Sequence, residues 1–397
     1  MSWGDYFRYN EYSSCYYYID INVVSLPDNL PMPPTTNLAW AFGDCKKLQD
    51  ITALSSWDTS NVTNMSCMFH GCDSLQDITA LANWDVSKVE NMSCMFTECE
   101  LQNLSALAKW DISNVKDMCA MFRECASLQD IAALANWNVA NVKDMCCMFH
   151  ECTILQNITA LANWNVSSVE NMRGMFADCE QLQDITALAN WNIANVKNMN
   201  SMFSSCDMLQ DISALSNWNV ANVKDMAWLF CGCKQLQDIT ILSNWNVTSV
   251  ENISCMFREC KELQNITALS NWNIANVKDI SQMFHECCQL QDTTALANWN
   301  ISSVEDMRGM FADCSSLKDI TALANWNVSN VKNMNQMFSC CHQLEDVSAL
   351  ANWNVSKVTD MAWMFCGCNQ LQNITALANW NISSVENTYC MFGDRHL

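Results

Sequence analysis

"SLQDITALANWDVSKVENMSCMFTEC", residues 74–99, recurs in close copies through nearly the whole chain. Its tryptophan returns at 57, 84, 110, 137, 164, 191, 218, 245, 272, 299, 326, 353 and 380. The step is 27 residues throughout, except 26 between Trp84 and Trp110. The closing cysteine keeps the same beat from Cys45 to Cys368, with its short step between Cys99 and Cys125. One residue is therefore missing where "CEL" (99–101) replaces "CDSL" (72–75), and no later beat is disturbed. A deletion absorbed in this way marks a loop. A period in this range is the signature of a solenoid, in which each coil contacts only its neighbours.

Within one copy the apolar frame is Leu75, Ile78, Leu81, Trp84, Val86, Val89, Met92, Met95, Phe96 and Cys99. Its first half, L-x-x-I-x-x-L-x-x-W-x-V, resembles the leucine-rich repeat, with one additional residue and Trp in place of Asn or Cys. A short strand is expected over Leu75 to Leu81. From Val89 to Cys99 the apolar steps of three and four are those of one helical face. Ser or Thr stands three residues before Glu in five copies: Ser87/Glu90, Ser167/Glu170, Thr248/Glu251, Ser302/Glu305 and Ser383/Glu386. That is the capping-box arrangement. The expected class is α/β, a leucine-rich-repeat-like solenoid of about 13 coils of 27 residues, each a short strand, a turn and a short helix.

Ten apolar side chains do not offset the ordering of 27 backbones, so each coil must stack on its neighbours and the ends must be covered. Residues 1–36, rich in Tyr and then Pro, are expected to be an N-terminal cap. Residues 37–392 read as a single solenoid and 393–397 as a tail, with Arg395 where a ladder cysteine is due. A longer period overlies the first. "SSVENMRGMFADC" (167–179) returns as "SSVEDMRGMFADC" (302–314), and "DMAWLFCGC" (225–233) as "DMAWMFCGC" (360–368). Both offsets are five coils, so the array grew by copying a five-coil block.

The repeat "NWDVSKVENMSCMFTEC", with variants such as "SWDTSNVTNMSCMFHGC", resembles the BspA-type repeat of bacterial surface proteins, which also occurs in expanded sets in some protists. The resemblance covers residues 37 to 392. It implies a leucine-rich-repeat-like solenoid on a cell surface with a role in adhesion or protein binding. It brings no catalytic residues.

Charge narrows the partners. Lysine and arginine number 20 against 42 acidic residues, a net charge of -22. Such a surface repels phosphates, so nucleic acid is not expected as a partner, nor is membrane insertion, because no apolar run reaches the roughly 20 residues of a span. Residues 1–34 show no basic stretch followed by an apolar one, unlike a secretory signal. Cell-surface and intracellular locations both stay open.

Most of the conspicuous residues read as core. One cysteine per coil is better understood as a buried small hydrophobe than as a metal ligand, since metal sites want clustered ligands. The tryptophan column and the Met-Phe pairs read as core too, each indole N–H expected on a neighbouring carbonyl. Lys or Glu after the helical valine, as in Lys143, Glu170 and Lys197, reads as a solvated face of weak pairs. Off the ladder, Cys67/Cys94 and Cys119/Cys146 occupy equivalent places in adjacent coils, within disulfide range if the compartment is oxidising. Fourteen N-x-S/T sequons favour an extracellular setting, and the odd total of 25 cysteines a reducing one. Histidines are few, and three of them (70, 150 and 285) share one repeat position. No Ser-His-Asp grouping or Gly-rich phosphate loop stands out, so an enzyme is not expected.

The inconspicuous "QDIT" is different. The position before the central Ile is acid or amide in every copy, and the position after it is Thr or Ser except at Ala132. Two polar columns on one face would present Asp184, Thr186, Asp211, Ser213, Asp238 and Thr240 to a protein or glycan. Stacked carboxylates raise each other's pKa or recruit a cation such as calcium. The competing reading is that Asp and Asn only brace turns. No cofactor is expected. The expected function is a non-catalytic protein-binding or adhesion solenoid, with an intracellular scaffold or spacer as the alternative.

Overall fold

The computed structural model describes residues 2–11 and 13–393, so Arg395 and the rest of the tail beyond Gly393 lie outside the described residues. The chain divides into two compact units, Met1–Val196 and Lys197–Leu397. In each unit the 27-residue copies are coils of a leucine-rich-repeat-like solenoid. Each coil holds one short 3-10 segment and a set of backbone hydrogen bonds to its neighbours.

Residues 72–99, in the first unit, show how the sequence closes a coil. Asp77 Oδ1 accepts the N–H of Thr79 at 2.8 Å, Asp85 Oδ1 that of Ser87 at 3.0 Å, and Asn91 Oδ1 that of Ser93 at 2.8 Å. A carboxylate or amide oxygen that takes the N–H two residues on mimics a backbone turn. Each coil thus bends at three corners made by side chains. This is how a chain with 8 glycines in 397 residues turns so often.

After the first corner comes the 3-10 segment Thr79–Leu81, which buries Leu81 and leads into Trp84, whose N–H returns to the Leu81 carbonyl at 3.1 Å. After the third corner the N–H groups of Met92, Cys94, Phe96 and Glu98 donate to Asp117, Cys119, Met121 and Arg123 of the next coil at 2.8–3.0 Å. Intervening N–H groups close local turns, Met95 on Met92 and Thr97 on Cys94, both at 3.3 Å. Cys94 (φ 55°) takes the left-handed conformation at the third residue of the Met92–Met95 turn, and Glu98 (φ 61°) takes it again four residues on.

The solenoid stands as the sequence predicts, but the elements inside the coil do not. The segment expected as a strand holds the 3-10 turn, and the segment expected as a helix is the inter-coil ladder; no α-helix occurs among the described residues. Turns repeating every four residues bury Met92 with Phe96 and Met95 with Cys99, the same spacing as one face of an α-helix. The capping boxes are absent for the same reason. Ser87 offers its N–H to Asp85, and the Glu90 N–H donates to Thr63 of the preceding coil at 2.8 Å. Ser and Glu there belong to a corner and a ladder, not to a helix start.

The core is a set of stacked columns. In the first unit Phe42, Phe69, Phe96, Phe122, Phe149 and Phe176 stack with centroids 5.5–5.9 Å apart. In the second unit Phe203 to Phe365 repeat the column at 5.6–6.0 Å. Trp84 is buried, and its Nε1–H donates to the Leu54 carbonyl of the preceding coil at 2.9 Å. Cys99 is buried likewise, its thiol 3.2 Å from the Phe69 carbonyl. Both columns are core, as expected. The 26-residue coil is accommodated where the loop was inferred: residues 73–74 form a turn, whereas residues 99–101 form none. Trp110 and Cys125 still find Leu81 and Phe96, at 3.1 and 3.2 Å.

Before the first coil, β1 (Phe7–Asn10) and β2 (Cys15–Tyr18) form an antiparallel hairpin. Phe7 and Tyr18 lie against Phe42, with centroids 5.9 and 5.5 Å away, and cover that end of the aromatic column.

Candidate binding face

The six residues of the polar columns are all exposed, and they fall in both units. Asp184 and Thr186 belong to the first; Asp211, Ser213, Asp238 and Thr240 belong to the second. Each acid forms the first corner of its coil. Asp184 accepts the Thr186 N–H at 2.8 Å, Asp211 the Ser213 N–H at 2.7 Å, and Asp238 the Thr240 N–H at 2.8 Å. The bracing role weighed in the sequence is therefore present at every one of these positions. It does not remove the acids from the surface, because one bond to the backbone leaves the carboxylate facing solvent.

Their electrostatics run against the expectation from stacked charges. The Thr186 hydroxyl and N–H hold Asp184 below the usual carboxylate range, and the Thr240 N–H and hydroxyl do the same for Asp238. Hydrogen bonds to the charged form outweigh repulsion between exposed carboxylates, which water screens. Asp184 and Asp238 therefore stay ionised at neutral pH.

The third corner, which the sequence reading did not single out, behaves in the opposite way. Asp117 and Asp144 pair in adjacent coils of the first unit, and Asp279 and Asp306 do so in the second. Burial holds Asp117 above its ordinary value, against the Cys119 N–H bond, and neighbouring Asp144 adds to the rise. Asp306 is raised by burial in the same way, with Asp279 contributing. Only the invariable acid-or-amide character of the position signals this corner in the sequence. Also missed were Trp40, Trp228 and Trp363, which lie outside the buried column and are 36–40% exposed. They occupy left-handed positions at the start of the ladder, with φ of 60–62°.

Three groups of cysteines differ in their chemistry. Burial pushes the ladder thiols up, that of Cys125 to about 12, so they are poor nucleophiles. Cys119 and Cys146 are joined, with Cα atoms 4.6 Å apart. Cys67 and Cys94 are free, and the Cys67 thiol bonds to Cys94, which lowers Cys94 to about 7. The Lys/Glu positions form exposed ion pairs such as Lys116–Glu90 at 2.7 Å and Lys224–Glu251 at 3.4 Å. No helix among the described residues is long and apolar enough to cross a membrane.

A family model described as "Mycoplasma protein of unknown function, DUF285" matches residues 36–134, 130–214, 207–322 and 288–396. No curated relative matches the chain. Among solved structures, a leucine-rich repeat protein from Bacteroides ovatus is similar at 16% identity and a TM-score of 0.38, covering 94% of this chain and 73% of that one. A leucine-rich cell surface protein from Faecalibacterium prausnitzii matches at 19% identity and 0.36, covering 79% and 76%. A leucine-rich repeat protein from Eubacterium ventriosum matches at 11% and 0.31, covering 89% and 78%.

Proposed function

We propose that this chain, which belongs to the DUF285 family, is a non-catalytic binding solenoid of BspA type that offers the first corners of its coils to a protein or glycan partner. One observation carries the reading. The apolar positions of the repeat are buried, whereas the acid or amide at the first corner, followed by Thr or Ser in all coils but that of Ala132, is exposed in coil after coil and bonded to the backbone N–H two residues on. A repeated surface of acids, amides and hydroxyls suits a partner bearing donors or cations, and one coil's weak contact is multiplied by the next. Adhesion at a cell surface is part of this proposal.

Charge reversal tests it: Asp184→Lys, Asp211→Lys and Asp238→Lys are introduced together, and binding to intact cells and to extracts from the native source is compared. The variant is expected to lose capture of partners that the natural chain retains. Unchanged capture of every partner would refute the face.

A second reading, an intracellular scaffold, is favoured by the free thiols of Cys67 and Cys94 lying side by side. Alkylation and mass spectrometry on protein from its source separate the two. A Cys67–Cys94 bridge with glycosylated Asn61 or Asn165 would sink the scaffold, and alkylatable Cys119 and Cys146 would sink the surface reading.

A further inference from the structure

Histidine occurs at the same repeat position in two copies of the five-coil block, and each time the coil stacking surrounds it with carboxylates. In the first unit His150 is followed by Glu151, and Asp178 occupies the place of Glu151 one coil on. His150 Nδ1 is 3.3 Å from Glu151 Oε1, and Nε2 is 3.3 Å from Asp178 Oδ2. One ligand atom from each of the three lies within 4.8 Å of the others. Ligands about 2.0–2.2 Å from a tetrahedral zinc ion are roughly 3.3–3.6 Å apart. One ion uses only one of the two ring nitrogens, so one carboxylate already stands at a suitable distance and the other reaches the ion by rotation of its exposed side chain.

Three further features support a built site. His150 Nδ1 is buried and, like His285 Nδ1 and His70 Nδ1, makes no well-aligned hydrogen bond, while the His150 side chain is 19% exposed and open to an incoming ion. The backbones of the two acids are fixed in the left-handed conformation, Glu151 at φ 60° and Asp178 at φ 58°. The Glu151 N–H is bonded to the Ala177 carbonyl at 2.8 Å. Ligand positions set by a backbone ladder are preorganised. Both carboxylates also reach the surface, at 44% and 39% exposure, which leaves room for water to complete the coordination.

The copy in the second unit differs where it matters. His285 Nε2 is 3.4 Å from Glu286 Oε1, but Nδ1 is 3.8 Å from Asp313 Oδ2. Lys261 places its ammonium 3.4 Å from Glu286 Oε2, whereas the corresponding residue of the first block is Ala126. A fixed cation already occupies one of the carboxylates. Arginine precedes each histidine by one coil and pairs with its own neighbour, Arg123 with Glu124 and Arg258 with Glu259, so arginine does not distinguish the two.

We propose that His150, Glu151 and Asp178 bind a divalent first-row cation of the zinc class, and that the His285 copy does not. One imidazole and two carboxylates suit zinc or cobalt, and the imidazole disfavours calcium. The test uses the full chain, with accessible thiols alkylated so that thiolates do not compete. Zinc is titrated by calorimetry, and cobalt is titrated with its visible absorption recorded. The natural chain is expected to take up one equivalent, with cobalt bands free of thiolate charge-transfer absorption. That equivalent is lost in His150→Ala and in Asp178→Asn, the second being a surface change that leaves the fold in place, and is kept in His285→Ala. No uptake by the natural chain, or equal loss in the His150 and His285 variants, would overturn the proposal.

Discussion

The first and third corners of a coil are built from the same residue types by the same bond, and they differ only in what surrounds them. At the first, Asp184 and Asp238 are exposed and held below the usual carboxylate range by their Thr partners. At the third, Asp117 and Asp306 are half-buried beside another acid and are held above it. A turn-forming carboxylate is therefore not a functional signal in itself. Burial decides whether its charge is favoured, as at the exposed first corner, or disfavoured, as at the half-buried third.

The largest expected contrast comes from removing the corner where no charge intervenes. Asn252 serves both the N–H and the hydroxyl of buried Ser254, whereas exposed Asn265 serves the N–H of Thr267. Leaving a buried donor unpaired costs about 1–3 kcal/mol. Asn252→Ala should therefore cost that much in urea denaturation, and Asn265→Ala, where water replaces the amide, less than about 1 kcal/mol. Equal losses would mean that the two corners are energetically alike.

A smaller effect concerns the ladder that begins at the third corner. Gln336 has φ 57°, and its counterpart one coil earlier is Gly309 at φ 58°. Gln336→Gly should raise stability by about 1 kcal/mol, because the left-handed conformation costs about 1–2 kcal/mol at a residue with a side chain. Gly309→Ala should lower it, the new Cβ meeting Gln282 Cγ at 3.2 Å. Thermal unfolding of the pair checks both signs.

The subtlest contrast is in pH. A folded pKa held low adds stability above the unfolded value of about 4 and loses it as pH falls through the folded value. Asp184→Asn and Asp238→Asn should therefore cost a little at pH 7 and nothing well below pH 4. A folded pKa held high has the reverse sign, so Asp117→Asn and Asp306→Asn should stabilise at pH 7, the gain fading as these acids protonate on acidification. Parallel stability-pH curves for the two sets of variants would break the distinction.

The period, the core columns and the place of the deletion were legible because thirteen near-copies make position more informative than propensity. The local elements were not. A four-residue turn repeat and an α-helix bury residues at the same spacing, and the discriminating feature, positive φ, falls on Cys94 and Glu98 rather than on glycine. The Asp-Ile-Thr face was legible as a pattern, whereas the sign of its pKa shift depends on hydroxyl bonds that only the structure shows. His150 and Asp178, 28 residues apart, become neighbours only once one coil is known to sit on the next.

The cross-coil bonds have a further consequence, at the level of the gene. Trp84 and Cys99 reach back to Leu54 and Phe69, thirty residues behind, and Cys94 reaches forward to Cys119. Each coil therefore asks its neighbours only for residue types that every other coil also supplies. Unequal recombination in frame between any two copies joins coils that already fit, without a compensating mutation. Coil number becomes a quantity that drift or selection can alter in single steps, while a rare grouping such as His150, Glu151 and Asp178 is transmitted only when its two adjacent coils are copied together.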